Sequence, residues 1–459
     1  GIDFVVVERE SEVGGTWWVN SYPGCAVDVP SMLYSYSFEQ NPDWTRVFCQ
    51  RDELHAYANT VVGRHALRPH IRLGTDIVKG AFDQDAHRWG FTAADGTTIS
   101  AQFVIAGLGP LNRPLIPNIP GRDTFAGDQW HSMRWDHDVD LAGKRVISIG
   151  TGASAVQFVP PVAEVAGHLT VVQRSAPWLM PKLDHSIGPV ERFLFRQVPG
   201  LQRGIRELMF WGSELFHTAQ MHPQTLRVAE AICLAQLRFQ VRDAELRRKL
   251  TPDYTFGCKR PMVSSNFYPA LTQPNVDLET RRIIEIVPTG VVLEDGTRLD
   301  ADVIIWGTGF KVQDAYDDLD FAGRGGVSIP DLFRSAGGME AYYGTTIHSV
   351  PNLFLVLGPN SGLGHTSAIL SIEAMVGANV RLVADALARG ISRVEAPERA
   401  QQEWTKHAHD YLASGVWTTG GCTSYFIDDD GVNRAAYPGS ARDQQRRMAA
   451  LTLEDYDCA

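Results

Sequence analysis

No two of the six cysteines (Cys25, Cys49, Cys233, Cys258, Cys422 and Cys458) form a CxxC pair or stand at a metal-ligand spacing. A dithiol redox centre and a structural zinc site are thereby excluded, and reduced thiols in a cytoplasmic protein are predicted. Basic residues are also scarce: 42 Lys and Arg face 53 Asp and Glu, for a net charge of -11. That sign is wrong for a nucleic-acid or anionic-membrane partner. No apolar run approaches the roughly 18 residues of a membrane span, so no stable membrane insertion is expected, and the N-terminus lacks a signal-peptide layout. Sequence repeats and low-complexity tracts are missing too, which removes solenoids and linkers. What is present is a globular composition, 44% hydrophobic and 21% charged over 459 residues. It is long enough for two or three domains and suited to a small-molecule substrate.

Residues 4–8, FVVVE, read as a buried strand ending in Glu8, and the following SEVGGTWW as a glycine turn. Together they resemble the second strand of a dinucleotide-binding unit, whose first strand and phosphate loop are expected before Gly1. RVISIG (145–150), the loop GTGASA, an apolar stretch to Gly167 and LTVVQR (169–174) form a second, complete unit. Pro160 and Pro161 fall inside its helix and predict a bend or interruption, because each removes a backbone hydrogen bond. Residues 188–250 carry apolar residues at helical spacing and are expected to be a helical insertion whose apolar stripes face the core. VVLEDGTRLDADVIIWGTGF (291–310) predicts a hairpin turning at Asp295-Gly296, then a buried strand ending in a glycine turn. FVIAGLGP (103–110) ends similarly, so the chain is expected to cross between domains twice. The predicted fold is α/β, with two Rossmann-like domains: residues 1–140 begin the first, 141–300 form the second with its insertion, and 301–459 complete the first.

In GTGASA, Gly150 makes the tight turn, Gly152 lets backbone amides approach a pyrophosphate, and Ala155 permits close helix packing. Arg174 stands at the end of the next strand, where a site for NAD would carry an acid. An arginine there accommodates a 2'-phosphate, so NADPH is expected. Glu8 is the opposite case and suits the unphosphorylated ribose of FAD. Residues 14–38 crowd Trp17, Trp18, Tyr22, Tyr34, Tyr36 and Phe38 around a single acid, Asp28, a composition that fits either a core or a wall for a planar ring.

The segment 14–38, followed by FAGDQWHSMRWD (125–136), resembles the Baeyer-Villiger monooxygenases, which use FAD and NADPH. Their fingerprint FxGxxxHxxxW(P/D) is matched by Phe125, Gly127, His131, Trp135 and Asp136. The resemblance extends through residues 107–121, GTGASA, QRSAP (173–177), CKRP (258–261), IIWGTGF (304–310) and VWTTGGCTSYF (416–426). It implies that Lys259, with Arg174 and Ser175, holds the NADP 2'-phosphate, and that Gly150, Thr151, Gly152, Ala153, Ser154 and Ala155 line the pyrophosphate loop. It implies that Glu8, Gly15, Thr16, Trp17 and Tyr34 contact FAD, while Arg260 is catalytic and paired with Asp28. Ala26 departs from the pattern, since relatives often carry Arg there. The implied reaction uses NADPH and O2 to form a flavin peroxide that converts a ketone to an ester or lactone. Flavin-dependent N- or S-oxygenation, and an inactive truncated NADP-binding relic, are the competing readings. His131 and Trp135 are expected at the crossing between domains, with His131 bonded to the GTGASA side.

Overall fold

The computed structural model describes residues 1–459. Its organising element is a five-stranded, all-parallel sheet in the order Val276–Glu279, His168–Val172, Arg145–Ile149, Val303–Trp306, Asp128–His131. Alternation along these strands sends Val146, Leu169, Val171, Val303 and Ile305 to one face, where they pack on helix Ala153–Val165. Ile147, Ile149, Ile304 and Trp306 go to the other face, against Ile286, Val291 and Leu293 of an antiparallel three-stranded sheet. Burial of both faces explains why these strands read as continuous apolar runs. The predicted hairpin is the last turn of that smaller sheet, with Gly296 at φ +83°.

Strands Asp128–His131 and Val303–Trp306 lie outside the expected second domain in sequence but inside its sheet. The divisions at 140/141 and 300/301 are therefore corrected, because both crossing segments contribute a strand to the same ladder. The rest of residues 1–106 and the chain beyond 320 supply smaller sheets and the helices Ala368–Arg389, Glu398–Leu412 and Ala441–Ala450.

Three further expectations are corrected. The strand at 4–8 is reduced to Val6–Val7, paired only with Ile71–Arg72, and Val6 is 46% exposed because a two-residue ladder covers neither face. Helix Ala153–Val165 runs through Pro160 and Pro161 without interruption. Neither proline can donate to the carbonyl four residues back, and Gly24 takes up the space beside one of them: a Cβ there would lie 2.6 Å from the Gln157 carbonyl oxygen. Finally, Cys258 and Cys422 form a disulfide, 164 residues apart in sequence, while Cys25, Cys49, Cys233 and Cys458 are free. The reading of six reduced thiols rested on local spacing, which is blind to a pair that only the fold brings together.

The expected insertion is helical, with Pro189–Gln197, Leu201–Gln220, Arg227–Gln240 and Ala244–Lys249. No helix of the protein is long and apolar enough to cross a membrane.

Candidate active site

The GTGASA loop joins strand Arg145–Ile149 to helix Ala153–Val165. Gly150 has φ +107°, and a Cβ on it would lie 2.3 Å from the Gly307 carbonyl oxygen, so the turn admits only glycine. Gly152 and Ala153 are exposed, and no side chain caps the helix or places an acid in its first turn. Its N-terminal amides are left free for an anion. Ala155 is fully buried, as close packing of helix on sheet requires. The Thr151 hydroxyl donates to the Ser175 carbonyl at 3.2 Å, tying the loop to the next strand's end.

Ser175 also accepts the Lys259 ammonium through its hydroxyl at 2.6 Å. Burial lowers the pKa of Lys259, and the nearby charge of Arg174 lowers it further. Two cations held near each other without an ion-paired carboxylate form a seat for a multiply charged anion. Strands Leu179–Met180 and Met262–Val263 pair in parallel and hold the segments carrying Ser175 and Lys259 side by side.

Next to Lys259, Arg260 makes a bidentate ion pair with Asp28: Nε donates to Oδ2 and Nη2 to Oδ1, both at 2.9 Å. The two side chains are 28% and 26% exposed, so the pair is held in place yet reachable. Burial opposes ionisation of Asp28, but the field and hydrogen bonds of Arg260 outweigh it and keep the carboxyl below its usual range. Asp28 in turn raises the already high pKa of Arg260. Tyr34 faces the pair, and burial pushes its hydroxyl up to about 12, so it remains protonated at neutral pH. The ring of Trp17 meets Tyr34 edge-on at 5.5 Å.

The segment carrying Asp28 is docked onto the nucleotide-loop helix by one side chain. The Gln157 amide oxygen accepts from the Ala26 N–H and the Tyr22 hydroxyl, and its amide nitrogen donates to the Ala26 carbonyl. Ala26, whose side chain departs from the family pattern, serves here through its backbone. Gly15, at φ +51°, and Thr16 are exposed at the start of the short helix Thr16–Val19. The Glu8 carboxylate accepts the Glu10 N–H at 2.8 Å. A cavity of about 380 Å³ lies close by, lined by Arg9, Asn112, Arg113, Arg134 and Lys311, among others.

The fingerprint residues brace the five-stranded sheet's edge. His131 Nδ1 accepts the Met133 N–H, which leaves Nε2 to donate to the Gly309 carbonyl at 2.9 Å. Its partner is thus the turn after Val303–Trp306, rather than the expected GTGASA loop. The two turns do meet, since the Gly307 carbonyl occupies the space beside Gly150. Trp135 packs on Trp130 and on Phe158 of the nucleotide-loop helix, at 5.6 and 5.4 Å. Phe125 is buried, Gly127 leaves room for the Asp302 carbonyl, and Asp136 is exposed with its carboxylate accepting the Asp138 N–H.

Sequence reasoning missed Gln157, Lys182, Tyr425 and the disulfide. Lys182 is near enough to Asp28 for their charges to interact, and Tyr425, kept protonated by burial, lies near Arg260. The disulfide Cys258–Cys422 ties the loop bearing Lys259 and Arg260 to the one bearing Tyr425. Tyr425 and Cys422 lie in a segment the family resemblance included, but residue type alone assigned them nothing.

Residues 32–320 match the model of the flavin-binding monooxygenase-like family, and the chain belongs to that family. A Baeyer-Villiger monooxygenase of Streptomyces coelicolor is 41% identical over 461 residues, covering 99% of this chain and 87% of the relative. Another, from Pseudomonas aeruginosa, is 40% identical, with 95% and 83% covered. A solved steroid monooxygenase bound to NADP superposes with a TM-score of 0.86 at 28% identity, over 99% of this chain and 94% of that one. Within the family, the chain is an FAD-dependent monooxygenase of the Baeyer-Villiger type.

Proposed function

We propose that the protein uses NADPH and O2 to insert one oxygen atom beside a ketone carbonyl, giving an ester or lactone. The observation carrying this reading is the bidentate Arg260–Asp28 pair placed directly after Lys259 in the anion seat. The residues present suit both nucleotides. Arg174, Ser175 and Lys259 would hold the 2'-phosphate of NADPH, and residues 150–155 its pyrophosphate through the free amides of the helix start. Glu8 would accept from the ribose of FAD, while Gly15, Thr16, Trp17 and Tyr34 would flank that cofactor. In the neighbouring cavity Arg9 and Arg134 are paired with Glu10 and Arg113 with Asp318, so Lys311 is the cation there that would complement the FAD pyrophosphate.

When bound, FAD takes electrons from NADPH and delivers them to O2. The chain's own contribution is a fixed positive charge. Arg260 cannot lose its proton, and Asp28 fixes the plane of the guanidinium through two parallel hydrogen bonds. Its remaining N–H groups are free to donate to negative charge that develops on the substrate oxygen. A pre-oriented donor does this without reorganising, and losing one such donor typically costs about 10²–10³ in rate. The protonated Tyr34 hydroxyl adds a neutral donor beside it.

The test is NADPH-dependent oxygen uptake by the FAD-loaded protein, with product analysis on a ketone, an amine and a sulfide. Ester from the ketone, with the oxygen derived from O2, supports the reading. An N-oxide or sulfoxide as sole product assigns the N- or S-oxygenating alternative, and failure to take up flavin supports the relic.

A further inference from the structure

Helix Leu201–Gln220 in the insertion divides its apolar residues between two sides. The side it turns to the protein buries Gln202, Arg206, Glu214, His217 and Gln220, with Ile205, Met209, Phe210 and Phe216 partly buried beside them. Specific contacts fix that orientation. Gln202 donates to the Asn41 carbonyl, Arg206 to the Met32 carbonyl, and Glu214 accepts the Ala441 N–H at 2.9 Å. At 100° per residue, Leu208, Trp211 and Leu215 then point the other way, and they are 74%, 49% and 73% exposed. The adjoining helix Pro189–Gln197 adds Val190 and Phe193, 72% and 58% exposed. Monomeric water-soluble surfaces rarely leave large apolar side chains clustered in this way.

Charge selects the occupant. The two helices hold four Arg against three Glu, with one of each sign, Arg206 and Glu214, buried, although the whole chain is acidic at 42 Lys and Arg against 53 Asp and Glu. Arg203 lies exposed on the same helix, and the Arg442 guanidinium sits over the Trp211 ring at 5.0 Å, at the edge of the apolar stripe. A second copy of this chain would bring like charges together, whereas an anionic bilayer would meet opposite ones. We propose that helices Pro189–Gln197 and Leu201–Gln220 dock this face onto an anionic phospholipid membrane. They lie in the interface with the apolar stripe among the acyl chains and the arginines at the headgroups. The whole-chain acidity that argued against such a partner conceals this local excess of basic residues.

The experiment is sedimentation of the FAD-loaded full chain with vesicles of phosphatidylglycerol and phosphatidylcholine in about equal parts, or of phosphatidylcholine alone. The triple variant Leu208→Ser, Trp211→Ser, Leu215→Ser is compared, its fold checked by flavin content and thermal unfolding. Because these side chains are exposed and touch no proposed cofactor residue, its oxygenase activity on a water-soluble substrate is expected to be unchanged. The wild type should bind the anionic vesicles, about tenfold more weakly in the triple variant. Binding should also fall steeply when salt rises from about 0.1 M to about 0.5 M. Several results overturn the proposal: wild type left in the supernatant, equal binding by the folded variant, or equal binding to both vesicle types. So would light scattering that shows a vesicle-free dimer dispersed by the triple substitution, which assigns the face to a second copy. An unfolded triple variant moves the comparison to Trp211→Ser alone, with the same readings.

Discussion

The two nucleotide-binding regions start from similar strand signals and end differently. The second has five parallel strands covered on both faces, so that Trp306 and Ile147 are each 1% exposed. The N-terminal one pairs Val6–Val7 with Ile71–Arg72 in a two-residue ladder and Val104–Ala106 with Leu353–Leu355 in a three-residue one, and Phe4, Val5 and Val6 are exposed. An apolar run is thus a statement about what a segment can bury, and the neighbours decide whether it does. The same holds for sites: the loop at 150–155 is contiguous in sequence, whereas the Lys259–Ser175 contact and the Arg260–Asp28 pair join positions that only the fold brings together.

The largest effect should come from breaking the covered sheet. Trp306→Ala is expected to cost about 3–5 kcal/mol, whereas Val6→Ala should cost less than about 0.5 kcal/mol. Denaturant unfolding measures both, and equal costs would erase the contrast between the regions. Gly150→Ala comes next, because it combines a strained φ with a clash against the Gly307 backbone. It should destabilise by about 1–3 kcal/mol and weaken NADPH binding in titrations.

Acid should act on a third region, where the insertion meets the C-terminal helices. Burial works against ionisation of Glu214, but His365, Ser440 and the Ala441 N–H hold its carboxyl down at about 2. Burial, and then the charge of His365, pushes His217 down to about 4. Both groups bind protons more readily when unfolded. Their stabilisation is therefore complete above about pH 6.5, falls as His217 protonates in the unfolded chain, and falls again between about 4.5 and 2 with Glu214. Replacing His217 by Phe should flatten the upper part of that decline, by an amount on the order of 2 kcal/mol in unfolding experiments at pH 4 and 7. A smaller effect, on binding rather than on stability, is expected from Arg174→Ala, at about 1–2 kcal/mol. It should raise KM for NADPH and leave that for NADH nearly unchanged, reducing the preference for the phosphorylated cofactor.

Strand, loop, helix and strand between 145 and 174 were legible because their periodicity, glycine spacing and terminal arginine are local. The fingerprint pointed to the family, although His131 bonds the Gly309 turn rather than the phosphate loop. Two features were hidden for a common reason. The Cys258–Cys422 pairing spans 164 residues, and the outward-facing stripe of helix Leu201–Gln220 has the same periodicity as a core-facing one. A sequence states that a helix has two faces. The buried contacts of Arg206 and Glu214 decide which one meets solvent.

The central claim is that a fixed guanidinium at position 260 promotes oxygen insertion while the neighbouring seat binds NADPH. It is tested most directly by Arg260→Ala, measuring NADPH oxidation and ester formation in the same reaction. The account predicts ester formation lowered by about 10² or more with NADPH oxidation partly retained. Ester yield per NADPH equal to that of the wild type would contradict it.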